Sequence, residues 1–223
     1  MRPIRRGPWY GPNVQRAAAL KQGYTTVARN AASRSITGLA RTRVTPNALT
    51  ASGVLLCVAA SVLVLFENRN EFLFYWLGAV VFVTGSVLDI LDGALARAGG
   101  KTTPFGAFLD STTDRISEGF MLTAIAYVFA RQGRDVFVAV TMAAVAGSFL
   151  VSYTRARAEA LGLRGDVGIG SRAERVVVIT AGLVLAPWGV LPWAIVLLTA
   201  TAWITVVQRV LYARTQLLGG PRD

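Results

Sequence analysis

Four aspartates crowd into one short window, Asp89 to Asp114, between two strongly apolar runs, Leu73 to Leu88 and Phe120 to Ala130. An acidic residue at mid-helix depth in a membrane segment costs about 2.5 to 3.5 kcal/mol on insertion scales, so Asp89, Asp92, Asp110 and Asp114 need a shared neutralising partner. Helical spacing supplies the geometry. Asp89 and Asp92 stand at i and i+3, Asp110 and Asp114 at i and i+4, so each pair shares one helix face. Two such helices meeting bring all four carboxylates to one point. With no His in the chain and one Cys, Cys57, the usual zinc, copper and haem arrangements are excluded. Hard oxygen donors remain, and these favour Mg²⁺ or Mn²⁺. Gly93, Gly99, Gly100 and Gly106 permit close approach of backbone to a ligand and of helix to helix, and Arg97 adds a planar fork for phosphate. Carboxylates, a hard metal and an arginine beside glycine point to a phosphate or pyrophosphate substrate. Helix caps and surface acids would explain any single aspartate, but not the whole set.

The rest of the chain reads as a polytopic membrane protein. Its 223 residues are 53% hydrophobic with a formal charge of +11, and mean hydropathy is +0.49. A lone cysteine allows no internal disulfide, and Cys57, inside an apolar run, reads as a small core residue. A nucleic-acid partner would need a soluble basic face with base-reading groups, for which the apolar runs leave no room. Buried carboxylates in a membrane bundle would also suit a cation transporter, but that leaves Arg97, Gly93 and the arginines discussed below unexplained.

Three regions follow: a basic N-terminal segment over 1–46, a six-helix membrane domain over 47–216, and a tail over 217–223. The first carries nine basic residues and no acidic one. No apolar core follows Arg2, Arg5 and Arg6, so it does not read as a cleavable signal. Ala17 to Leu39 reads instead as a helix lying along the cytoplasmic surface. Spans are expected at 48–66, 72–91, 107–130, 136–154, 175–190 and 192–212. Nearly all Lys and Arg fall in the termini and in segments 97–106 and 155–175, whereas the opposite loops hold only Arg69, Arg131 and Arg134. The positive-inside bias makes both termini and the acidic window cytoplasmic, with Trp188 and Trp193 in an aromatic belt on the far side.

The spacing DxxDGxxAR, eight residues, then GxxxDxxxD resembles the signature of the CDP-alcohol phosphotransferases. Asp89, Asp92, Gly93, Ala96, Arg97, Gly106, Asp110 and Asp114 match every position. The resemblance implies an all-α, six-helix membrane enzyme that moves a phosphatidyl group from CDP-diacylglycerol to an alcohol and releases CMP. It also implies a homodimer and two divalent ions, Mg²⁺ or Mn²⁺, on the four aspartates, with Asp114 doubling as general base. Asn47 and Thr50, in the helix start Thr45-Pro46-Asn47-Ala48-Leu49-Thr50, together with Gly93, Arg97 and Thr103, would contact the CDP-lipid.

A second stretch, Arg155 to Arg175, is rich in Arg and Gly, with Glu159, Asp166 and Glu174 placed to orient guanidinium groups. Plain positive-inside flanking would account for one or two of these arginines. The run Ser152-Tyr153-x-Arg155-Ala156-Arg157-Ala158-Glu159, followed by Arg172-Ala173-Glu174-Arg175, is similar to the branch of the family whose acceptor is inositol phosphate. That branch often carries Lys where Arg155 stands, and the positive charge is kept. Arg155, Arg172, Arg175 and Arg209 are the expected acceptor-phosphate ligands. Glycerol 3-phosphate, which also needs a basic pocket, is the alternative acceptor.

Overall fold

Pro46 lacks the N–H that a helix start would leave unpaired anyway, and helix α1, Pro46–Val64, begins there. The structure is a computed structural model and describes residues 46–98, 103–165 and 167–218. After α1 come α2 (Glu71–Ala98), α3 (Pro104–Arg131), α4 (Asp135–Ala160), α5 (Arg172–Val184), a 3₁₀ turn over Ala186–Trp188, and α6 (Leu191–Leu218). The described residues contain no strand, so the all-α expectation holds. The N-terminal helix expected over 17–39 lies outside the described residues.

Caps set the helix starts nearest the acidic window. Thr103 Oγ1 accepts from the Gly106 N–H at 3.0 Å, and Pro104 occupies the first turn of α3. The Ser171 N–H donates to Glu174 Oε2 at 2.7 Å, one half of a capping box that opens α5. Glu174 therefore serves the helix end and not an arginine.

Among the described residues, three helical stretches are long and apolar enough to cross a membrane: Glu71–Leu95, Asp135–Ala160 and Leu191–Leu218. α1 is apolar but shorter, and α3 carries Asp110, Asp114, Arg115 and Glu118 within its first fifteen residues. The span expected over 175–190 is divided. Its helix starts earlier, at Arg172, and stops at Val184, where Pro187 and the left-handed Gly189 (φ 75°) turn the chain. At 1.5 Å per residue this helix of 13 residues is about 20 Å long, short of the roughly 30 Å hydrocarbon core. Trp76 Nε1 donates to the Val184 carbonyl at 3.0 Å and satisfies one of its end groups.

The helices pack as a closed ring in the order α1, α2, α5, α6, α4, α3 and back to α1. Phe82, Met121, Leu122, Ile125, Phe129, Ile179, Ile195 and Leu198 fill its centre, and Cys57 joins them. Outward positions carry Leu55, Val80, Val136 and Trp193, all more than half exposed. That surface suits lipid chains rather than water. At the end of the ring away from the aspartates, buried Glu67 pairs with Arg131 and ties the end of α1 to the end of α3.

The backbones of α1 and α2 approach closely where Gly53 faces Gly85. A Cβ added to Gly85 would lie 2.7 Å from the Gly53 carbonyl oxygen and 2.8 Å from Cys57 Sγ. Only glycine allows this crossing, which falls one turn before Asp89.

Candidate active site

The end of α2 and the start of α3 lie on the same side of the ring, and this brings the two aspartate pairs together. Asp89 and Asp92 are 4% and 3% exposed, and Asp110 is more open. One carboxylate oxygen from each of these three lies within 4.8 Å of the others. Pairs of like charges this close repel by about 4 kcal/mol at an effective dielectric near 20. A cluster of hard oxygens under that repulsion fits a divalent cation such as Mg²⁺ or Mn²⁺, with no imidazole or thiolate competing.

Asp114 joins the group through Arg172. The Arg172 Nη1 donates to Asp89 and lies 2.6 Å from Asp114 Oδ1, the latter contact being an ion pair rather than a directed hydrogen bond. All four expected carboxylates thus face one locus. On its other side Asp114 is 3.4 Å from Arg115, which also donates to Ser152 Oγ and to the Ser111 carbonyl. Thr50, buried in α1, donates its hydroxyl to Asp92.

The remaining expected site residues are placed as follows. Gly93 follows Asp92 in α2, half-buried, and Thr103 is the N-cap of α3. Asn47 and Arg97 lie in α1 and α2, and their side chains are outside the described residues, as are Gly99, Gly100 and Asp166. Arg155 is exposed on α4 and pairs with Glu159 at 2.9 Å, an orienting contact the sequence led us to expect. Arg209 donates from Nε to the Val167 carbonyl at 2.9 Å and from Nη1 to the Val151 carbonyl. Arg175 is buried, with its donors on Glu118 and on the Gly170 carbonyl and none on the aspartates. Arg115, Arg155 and Arg175 all lie near enough to Arg209 for their like charges to interact. Arg172 is likewise an electrostatic neighbour of Arg115. Arg115 and Arg172 touch the carboxylates and Arg155 and Arg209 stand beyond them, an arrangement that suits a ligand with several negative charges.

Two of these partners escaped sequence reasoning. Glu118 was legible in principle, since Asp110, Asp114 and Glu118 recur at i, i+4 and i+8 on one helix face. Arg115 carried no such mark, because its partner Ser152 comes from another helix.

Two apolar grooves open beside the site. One, of about 810 Å³, runs between α2 and α5 past Val83, Val87, Ile90, Val176 and Val177, with Arg172 in its lining. The other, of about 700 Å³, lies between α3 and α4, with Arg115 and Ser152 in its wall.

Residues 43–211 match the profile of the CDP-alcohol phosphatidyltransferase family. The chain belongs to that family and is an enzyme of phospholipid synthesis, which removes the transporter reading. It is 38% identical over 180 residues to the archaetidylinositol phosphate synthase of Pyrococcus horikoshii, covering 80% of this chain and 88% of that one. The crystal structure of Mycobacterium tuberculosis phosphatidylinositol phosphate synthase with CDP-DAG bound matches at TM-score 0.74 and 34% identity, covering 86% of this chain and 98% of the other. A second structure of that enzyme, in complex with manganese and citrate, matches at TM-score 0.74 and 36% identity over 86% and 93% of the two chains.

Proposed function

We propose that this enzyme transfers a phosphatidyl group from CDP-diacylglycerol to inositol phosphate, giving phosphatidylinositol phosphate and CMP. The observation that carries the reading is Arg172, one guanidinium touching both Asp89 and Asp114, at the edge of an arginine crowd. A carboxylate centre with guanidiniums at its edge suits a reaction joining a pyrophosphate donor to an acceptor that brings its own phosphate.

Asp89, Asp92, Asp110 and Asp114 would hold two divalent cations, Mg²⁺ or Mn²⁺, whose charge, when bound, polarises the pyrophosphate. Thr50 orients Asp92 by its hydrogen bond. Asn47, Gly93, Arg97 and Thr103 serve the cytidine diphosphate, and an acyl chain lies in the α2–α5 groove. Arg155, Arg172 and Arg209 take the acceptor's phosphate and hold its hydroxyl for attack. The hydroxyl oxygen bonds to the lipid-bearing phosphorus, the bond to CMP breaks, and Asp114 receives the proton.

In the same reading the chain crosses the bilayer six times, the short α5 completing its crossing with the 3₁₀ turn over Ala186–Trp188, and the site and both chain ends face the cytoplasm. The end of the ring nearest the aspartates carries Arg155, Arg157, Arg164, Arg172 and Arg214, whereas the far end has Arg69, Arg131 and Arg134. Two copies pair as a homodimer. The test is CMP release by purified protein supplied with CDP-diacylglycerol and inositol phosphate. Release that stops on chelation and returns with Mg²⁺ is expected. Release that persists after thorough chelation, or that proceeds without acceptor, contradicts the reading.

A further inference from the structure

A buried ion pair adds little stability of its own, because desolvating the two charges offsets most of their attraction. Glu118 and Arg175 nonetheless meet at 8% and 4% exposure. The pair is bidentate, Nε to Oε1 at 2.7 Å and Nη2 to Oε2 at 2.9 Å, and it joins α3 to α5 one turn deeper than Asp114. Such a pair calls for some role beyond holding two helices together.

Arg175 has a third contact that suggests the role. Its Nη1 donates to the Gly170 carbonyl at 2.8 Å, while the Gly170 N–H donates to Thr205 Oγ1 at 3.0 Å. The peptide groups at Gly170 are therefore held from two sides, by α5 and by α6. The fit is tight, since a Cβ on Gly170 would lie 2.8 Å from Thr205 Oγ1. Two residues later comes Arg172, the guanidinium that meets Asp89 and Asp114. Glu118 fixes Arg175, Arg175 fixes Gly170, and Gly170 fixes where α5 begins.

We propose that Glu118 is a positioning residue for the acceptor side of the site. Through Arg175 and the Gly170 carbonyl it sets the place from which Arg172 reaches the reacting groups. On this account Arg175 contacts no substrate, and its charge is spent on Glu118. The proposal rests on the function assigned above. It differs from a simple brace between helices in what its loss changes. A brace lowers stability and leaves the Michaelis constants of the surviving enzyme alone, whereas a displaced Arg172 weakens acceptor binding selectively.

The experiment uses the full chain in lipid nanodiscs, with Glu118→Gln and Arg175→Lys as variants. The first keeps the shape and removes the charge. The second keeps a buried cation but cannot span Glu118 and Gly170 at once. Each should raise the KM for inositol phosphate by roughly tenfold, with the KM for CDP-diacylglycerol changed less than about twofold. Each should also speed deuterium uptake at residues 167–172 in protein given no substrate. If one variant fails to fold, the other carries the test. Unchanged uptake at 167–172, or a lower Tm with an unaltered acceptor KM, overturns the proposal. Should the unmodified enzyme release no CMP with inositol phosphate, the functional reading fails, and the uptake result still decides the positioning claim.

Discussion

Gly85→Ala sets two effects against each other, and the structure says which wins. Alanine in place of a helical glycine gains about 0.5–1 kcal/mol of backbone preference. Against that, the new methyl would meet the Gly53 carbonyl oxygen at 2.7 Å and Cys57 Sγ at 2.8 Å. The carbonyl belongs to the backbone of α1, so no side chain can swing aside. Restoring a 3.4 Å contact requires α1 and α2 to part by about 0.7 Å at this point. Overpacking of this kind costs about 1–3 kcal/mol, and because the obstacle is backbone the cost falls in the upper part of that range, leaving a net loss of up to about 2.5 kcal/mol. The displacement falls one turn from Asp89, so turnover should suffer as well as stability. Gly119→Ala is the control, because its methyl would meet only Phe149 Cζ at an ordinary 3.5 Å. Thermal unfolding in nanodiscs and CMP release should show a lower Tm and slower turnover for Gly85→Ala, and little loss of either for Gly119→Ala. Equal behaviour of the two variants would refute the argument that close helix contact places Asp89.

Three further outcomes follow from the site. Asp114→Asn should lower kcat by about 10²- to 10⁴-fold with little change in the KM for CDP-diacylglycerol, since proton transfer belongs to the transition state; equal losses in both would leave Asp114 a ligand only. Thr50→Val removes the hydroxyl that donates to Asp92 and should raise the Mg²⁺ concentration needed for half activity by roughly 10- to 100-fold. A raised CDP-lipid KM with unchanged metal dependence would instead make Thr50 a direct substrate contact. Arg172→Gln should raise the acceptor KM by roughly tenfold or more, read from initial rates at saturating CDP-diacylglycerol; an unchanged value would remove Arg172 from the acceptor's phosphate.

What could be read in advance depended on whether a feature is local. The aspartate pairs were legible because their spacing along a helix fixes the shared face, and the structure brings Asp89, Asp92 and Asp110 together as that spacing requires. The short α5 was partly legible: Ser171 and Glu174 mark its start, Pro187 and Gly189 its end, and apolar content alone had suggested a later and longer span. Arginine partners were less accessible. The sequence placed all four expected guanidiniums on one side of the membrane, but Arg175 meets Glu118 from 57 residues away, a pairing set by helix packing. Gly53 and Gly85 carry no local sign of their contact for the same reason. Where the chain forms a turn or a helix face its sequence declares it, and where two helices choose each other it does not.

The most direct test of the assigned reaction is a competition among acceptors. Purified enzyme in vesicles would receive CDP-diacylglycerol, Mg²⁺ and equal concentrations of inositol phosphate, glycerol 3-phosphate and free inositol, with the product lipids identified by mass spectrometry. The arginine crowd around Arg172 and Arg209 predicts phosphatidylinositol phosphate as the main product and almost no lipid from free inositol, which would leave those cations unpaired. A main product of phosphatidylglycerol phosphate, or free inositol used as well as its phosphate, would contradict the account.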